Sequence, residues 1–257
     1  MTIAHDVAGD GPTVVLLHST VCDRRMWDPQ VPALVDAGYR AVRADFRGFG
    51  ETPVPDGPYS DARDVLDLLD LLGAERVAVV AASGGGRVGQ EVAARWPGRV
   101  GALMLVSTAL GGHEPGAELR AFGEREEALL AAGDVGGATE LNVTTWLGPY
   151  AGEPARAEVR EMQRHAFETQ LAGDAGAEPI RVEFDASAIT APTLLVSGAH
   201  DLPDFTRIAA TLAGRLPRAR HIALDWAGHL PSLERPEAFN PLLLDFLHAD
   251  FPPGRDA

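Results

Sequence analysis

The stretch Val77-Ala78-Val79-Val80-Ala81-Ala82 is an unbroken run of small apolar residues that ends abruptly in Ser83-Gly84-Gly85-Gly86. A short continuous apolar run is the mark of a strand buried on both faces, as in a parallel sheet. Beyond the glycines, Val88, Val92 and Ala93 recur at helical spacing. Ser83 therefore falls at a joint where a strand becomes a helix. The first N–H groups of a helix have no partner inside it, and its dipole turns the positive end toward the joint. A serine mounted there attacks a carbonyl beside donors already aimed at the negative charge that develops.

Other apolar runs repeat the theme. Thr13–His18, Tyr39–Asp45, Val100–Val106, Thr193–Ser197 and Ala219–Leu224 read as strands, and Met26–Ala37, Asp61–Leu72, Gly85–Trp96, Phe205–Leu216 and Pro236–His248 read as helices. Such alternation predicts an α/β fold with a mostly parallel sheet flanked by helices. Loops that carry chemistry are then expected outside the carboxyl ends of the strands. The alternation stops between residues 111 and 189, where Leu119, Phe122 and Leu129, then Leu141 and Trp146, then Val159, Met162 and Phe167 follow helical spacing. This predicts a core of residues 1–110 and 190–257 interrupted by an all-helical cap over the strand ends, residues 111–189.

Composition removes whole classes of chemistry. All 22 basic residues are arginine, so no lysine is present for a Schiff base, a phosphate loop or a serine–lysine pair. A net charge of −15 argues against nucleic acid or an anionic membrane as a partner. A lone cysteine, Cys22, excludes an internal disulfide. The opening residues lack a charged start and apolar centre, and no apolar run reaches spanning length, so a soluble cytoplasmic protein is expected.

A serine hydroxyl needs a histidine to take its proton, and the histidine needs an acid to orient it. Asp201 follows the strand Thr193–Ser197, and His229 follows the strand Ala219–Leu224. The chain order Ser83, Asp201, His229 is the one expected of an α/β-hydrolase. Asp204 and Asp225 compete for the acid's role; Asp204 reads as a cap for the next helix, and Asp225 stands close to His229 in sequence. No Asp or Glu lies within residues 107–112 to supply an acid from the strand before the insertion.

These residues resemble the α/β-hydrolase superfamily over nearly the whole chain. Ala81-Ala82-Ser83-Gly84-Gly85 is similar to its nucleophile elbow, Leu17-His18-Ser19-Thr20 to its His-Gly oxyanion loop, Asp45-Phe46-Arg47-Gly48-Phe49-Gly50 to its Asp-x-Arg-Gly-x-Gly turn, and Ala227-Gly228-His229 to its Gly-His. The resemblance implies an oxyanion hole made by the N–H groups of Thr20 and Gly84. Ser19 replaces the usual glycine and is a candidate to add a hydroxyl to the substrate pocket. Thr2–Val7 resembles the family's second strand, which implies that the usual first edge strand is missing.

Gly84-Gly85-Gly86-Arg87-Val88-Gly89 also fits a dinucleotide-binding pattern, but the ribose-binding acid expected about 20 residues later is absent from Val106-Ser107-Thr108-Ala109-Leu110. No histidine pair has the spacing of a helical zinc site, so neither metal nor cofactor is expected. His18 and His200 read as scaffolding, His5, His221 and His248 as partly exposed, and His113 and His165 as either substrate-facing or solvent-facing. Cys22 reads as an inert thiol and Arg47 as a structural donor. Arg87 either holds a cap carboxylate or meets an anionic substrate. Trp27, Trp146, Met162 and Phe167 are wall or core residues, with Trp146 and Phe167 the candidates for the substrate pocket. The resulting expectation is a serine hydrolase acting on a small or medium carboxylic ester, thioester or lactone, with a small molecule as its partner. Carbon–carbon bond hydrolysis, peptide trimming and cofactor-free perhydrolysis use the same residues, and a slow ligand-binding receptor is the reading from another class.

Overall fold

Strands form where the apolar runs predict them, because a sheet covered on both faces leaves no water-facing positions to fill with polar side chains. The computed structural model describes residues 2–173 and 176–254. Its strands are β1 (His5–Ala8), β2 (Thr13–Leu17), β3 (Arg40–Ala44), β4 (Val77–Ala82), β5 (Val100–Val106), β6 (Thr193–Gly198) and β7 (Ala219–Leu224). They make one sheet in the order β1-β3-β2-β4-β5-β6-β7. β1 runs antiparallel to β3, and every other neighbouring pair is parallel. Every residue of β2, β4, β5 and β6 is buried, whereas β7 at the edge has only half-buried and exposed residues.

The helices are α1 (Gln30–Asp36), α2 (Asp61–Leu71), α3 (Ser83–Arg95), α4 (Ala117–Ala131), α5 (Val135–Trp146), α6 (Glu153–Ala172), α7 (Pro203–Arg215), α8 (Pro231–Glu234) and α9 (Pro236–Asp250). α2 shows how locally they are specified. Ser60 caps it by accepting from Arg63 N–H at 3.3 Å, and Val65, Leu66, Leu68 and Leu69 form its buried face. The single helix expected over Met26–Ala37 is two pieces, a 3₁₀ turn at Arg24–Trp27 and then α1. Asp23 caps the first piece through Arg25 N–H, and Pro29, which has no N–H to donate, separates it from the second.

Residues between β5 and β6 hold α4, α5 and α6. The expectation of an entirely helical insertion needs correction at its end. The chain returns to the core in extended form, and Pro179 bridges Tyr59 through hydrogen bonds from Tyr59 N–H to Glu178 O (3.1 Å) and from Ile180 N–H to Tyr59 O (2.6 Å). Since β2 to β7 are parallel, His18, Asp45, Ser83, Ser107, Ala199 and Asp225 all follow strand ends on one edge of the sheet.

Candidate functional site

Ser83 is the first residue of α3 and holds φ at +51°. Among the described residues, Ser107 at the end of β5 is the one other non-glycine residue with positive φ. Such a backbone costs on the order of 1–3 kcal/mol and persists only when its surroundings hold it. Ala109 N–H donates to Ser83 O at 2.9 Å and ties the elbow to the chain leaving β5. The glycine run is explained by close approach. A β-carbon at Gly84 would lie 2.5 Å from Thr20 Cγ2, one at Gly85 would overlap the carbonyl oxygens of Leu17 and His18, and one at Gly86 would overlap Thr108 Oγ1. These glycines make room for neighbouring protein.

Asp201 and His229 are brought together. His229 Nδ1–H donates to Asp201 Oδ2 at 2.8 Å, and both side chains are buried. A carboxylate can only accept, so Nδ1 carries the proton and Nε2 keeps its lone pair. Asp201 Oδ1 accepts from Leu202 N–H at 2.7 Å, which fixes the carboxylate plane. The two loops meet because β6 ends in Gly198, where a β-carbon would overlap the Ala227 and Gly228 carbonyls, and His200 N–H donates to Ala227 O at 2.9 Å. Ser83 Oγ has no hydrogen bond to His229 among the described residues. Contacts of this kind often tighten only when substrate is bound.

Asp225 is exposed and takes no part. Asp204 is not the helix cap expected of it, since α7 starts at Pro203 after Leu202. Its buried carboxylate instead accepts from His113 Nε2–H (2.8 Å), Gly116 N–H (2.7 Å) and Arg207 (2.9 Å). Burial alone would raise this carboxyl, but those donors bring it below the ordinary carboxylate value.

His18 is fully buried and its tautomer is dictated by its partners. Nε2 must accept from Phe46 N–H (3.0 Å), so Nδ1–H donates to Ser19 O (2.8 Å). Burial depresses its basicity, so the ring is a neutral strut between the loop after β2 and the turn after β3. Thr20 is exposed toward the cavity beside Gly84. Ser19, expected to offer a hydroxyl to the pocket, is fully buried outside the cavity lining, with Oγ accepting from Val21 N–H at 3.5 Å.

A cavity of ≈ 660 Å³ is lined by Thr20 and Gly84 together with Trp146, Gln163 and Phe167 of the insertion. Trp146 joins the two parts of the molecule. Its carbonyl accepts from His229 N–H (2.9 Å), its ring centroid lies 4.6 Å from that of His229, and Phe205 covers the imidazole at 4.3 Å. Its indole N–H is satisfied by Asn142 Oδ1 at 2.8 Å. Trp27 and Met162 are buried away from this lining, and Met162 Sδ accepts from Asp23 N–H at 3.5 Å.

Arg47 forms a two-pronged pair with Asp64, both contacts at 2.7 Å. Arg87 lines the cavity and donates to Val182 O (3.2 Å), a backbone carbonyl of the returning segment rather than a carboxylate of α4–α6. His165 donates to Gly50 O (2.9 Å). Burial pushes the Cys22 thiol well up, which keeps it unreactive. Among the described residues no group of three His, Cys, Asp or Glu side chains is arranged to hold a metal ion. Among the described residues no helix is long and apolar enough to cross a membrane.

Sequence reasoning missed Glu234. Its buried carboxylate accepts from Gly228 N–H (2.9 and 3.1 Å) and Leu230 N–H (3.1 Å), the amides on either side of His229. It also missed Asp61, whose carboxyl is pushed up to about 6 by burial and by the neighbouring charge of Asp64. No spacing in the sequence marks either one, because their partners are made by the fold.

The family model described as the alpha/beta hydrolase family matches residues 14–242. The chain belongs to that family. A protein of Variovorax paradoxus named "Putative carbamate hydrolase RutD" is 31% identical over 99% of both chains. A solved hydrolase from Pseudomonas aeruginosa is 32% identical, with a TM-score of 0.77 over 95% of this chain and 94% of that one. The enol-lactonase of Burkholderia xenovorans is 28% identical, with a TM-score of 0.78 over 95% of this chain and 96% of its own. The family match agrees with the resemblance carried by the elbow, the His18 loop, the Asp45 turn and the Gly228-His229 pair.

Proposed function

We propose that this alpha/beta hydrolase is a serine hydrolase that cleaves a small or medium carboxylic ester, thioester or lactone through an acyl-enzyme. One observation carries the reading: a serine held at positive φ on a strand-to-helix elbow, on the same sheet edge as a buried His229–Asp201 pair whose free ring nitrogen is Nε2. His229 Nε2 takes the proton as Ser83 Oγ attacks the carbonyl, and Asp201 stabilises the imidazolium. The N–H groups of Thr20 and Gly84 receive the oxyanion. His229 passes its proton to the leaving oxygen or sulfur, and a water deprotonated by His229 then releases the acid and restores Ser83.

Helices α4–α6 act as a cap in this scheme, with Trp146 and Phe167 forming apolar walls and shielding the reaction from water. The similarity to an enol-lactonase and to a protein named as a carbamate hydrolase supports an acyl substrate. The test is labelling by a fluorophosphonate probe with Ser83→Ala as control, followed by turnover of acyl esters, thioesters and lactones of increasing size. Labelling that disappears in Ser83→Ala, with turnover reduced at least about 10³-fold, is the expected result. Absence of labelling in the unaltered protein would sink the proposal. Labelling without turnover of any acyl substrate would favour a binding protein.

A further inference from the structure

A general base works only from a fixed direction, and one hydrogen bond leaves an imidazole free to swing about it. His229 is held at Nδ1 by Asp201, and its ring lies between Trp146 of α5 at 4.6 Å and Phe205 of α7 at 4.3 Å. Phe205 comes from the core. Trp146 comes from the insertion, and a chain of hydrogen bonds fixes its own position.

Trp146 Nε1–H donates to Asn142 Oδ1 at 2.8 Å, one turn earlier in α5. Asn142 Nδ2 in turn donates to Ala138 O at 2.9 Å and to Glu126 Oε1 of α4 at 2.5 Å. An indole N–H can only donate, while a backbone carbonyl and a carboxylate can only accept, so the carboxamide of Asn142 has one permitted orientation. Asn142 is buried, and its oxygen and nitrogen are both engaged. Phe122, one turn before Glu126 in α4, meets the indole ring at 4.7 Å and 69°. Phe122, Glu126, Asn142 and Trp146 all line the cavity, so the wall that faces the ligand space also supports the ring beside His229.

We propose that Glu126 and Asn142 are positioning residues for the base: through the indole of Trp146 they hold the His229 imidazole at the angle from which Nε2 takes the proton of Ser83. The proposal rests on the hydrolase reading of Ser83 and His229 and extends it into the insertion. Loss of a link frees the carboxamide to turn or leaves the indole N–H without its acceptor, and the ring moves to regain one. A displacement of about 1 Å at a reacting group costs on the order of 10²-fold in rate.

The test measures the rate of fluorophosphonate labelling, and kcat and KM on the best ester found, for Glu126→Leu, Glu126→Gln, Trp146→Phe and the double variant Glu126→Leu/Trp146→Phe. Glu126→Leu is expected to lower kcat and labelling about 10–100-fold with KM changed less than about threefold. Glu126→Gln, whose carboxamide oxygen still accepts from Asn142, should recover most of that loss. In Trp146→Phe, which has no indole N–H to orient, Glu126→Leu is expected to have no further effect on kcat. The same loss in both backgrounds overturns the proposal, as does an unchanged kcat in Glu126→Leu. If that variant does not fold, Asn142→Leu takes its place in the cycle. Solvent exchange of the His229 Nδ1–H, followed by NMR, reads the same placement without turnover: it should quicken in Glu126→Leu and stay slow in Glu126→Gln, and equal exchange in all three proteins also overturns the proposal. Absence of labelling and turnover in the unaltered protein fails the hydrolase reading instead, so the two failures are distinguishable.

Discussion

Glu234 is the residue whose removal separates positioning from chemistry. Its carboxylate holds the amides of Gly228 and Leu230, so His229 is gripped from both sides by its own backbone. Burial raises this carboxyl, while the amide donors and the nearby His229 act against that rise. Glu234→Ala leaves two buried N–H groups without an acceptor, and each costs about 1–3 kcal/mol. We expect denaturant unfolding to show that loss, with kcat on a good ester down roughly 10–100-fold and KM changed far less. Glu234→Gln retains an acceptor and should recover much of kcat. A KM effect as large as the kcat effect would assign Glu234 to substrate binding instead. The elbow position of Ser83 and the pairing of Asp201 with His229 were legible in the sequence because each residue follows an apolar strand. Glu234 was not, because an acid in a short helix after Leu230 has no signature until the loop folds back on it.

At the scale of elements, the insertion is tied to the sheet edge that carries Ser83 and His229 at several places. Trp146 at the end of α5 touches His229, α6 lies along the loops after β2 and β3, and the segment before α4 is anchored on Asp204 of α7. Asp204→Ala removes the acceptor shared by His113, Gly116 and Arg207, leaving His113 and a part-buried amide unpaired. The expected outcome is a loss of roughly 2–4 kcal/mol in stability. Tryptic cleavage after Arg120 and Arg125 should become faster before the core unfolds, as the start of α4 comes loose. Equal cleavage rates in the two proteins would show that α4 is held by other contacts. The helical character of this region was legible from its 3.6-residue spacing. Its extended return past Tyr59 was not, because Glu178-Pro179-Ile180 pairs with a partner more than a hundred residues away.

For the molecule as a whole, Asp61 makes a contribution to the pH dependence of stability whose sign and size can both be stated. The carboxyl of Asp61 is raised from 3.8 to about 6, so the folded protein holds that proton more tightly than the unfolded chain does. Between about pH 4 and 6 the native state therefore binds more protons, and this group's contribution to stability declines as pH rises through that window. Above it the charged, half-buried carboxylate costs on the order of 2–3 kcal/mol. Asp61→Asn should then raise Tm at pH 7.5, with the gain shrinking toward zero near pH 4. A gain that is the same at both pH values would place the effect in packing rather than in ionisation.

The sequence by itself determined the layered α/β architecture, since strand burial and helical spacing are local facts, and it singled out Ser83, Asp201 and His229 as candidates from chain order and the requirements of a serine nucleophile. It also excluded lysine chemistry outright, because an absent side chain cannot be supplied by folding. Tertiary structure decided what depends on distant segments meeting. It turned Ser19 inward, recruited Asp204 to anchor the insertion, set Trp146 against His229, and enclosed the oxygen of Gln163 without a partner. Burial and hydrogen-bond satisfaction belong to surfaces brought together by the whole chain, and no single stretch of sequence contains them.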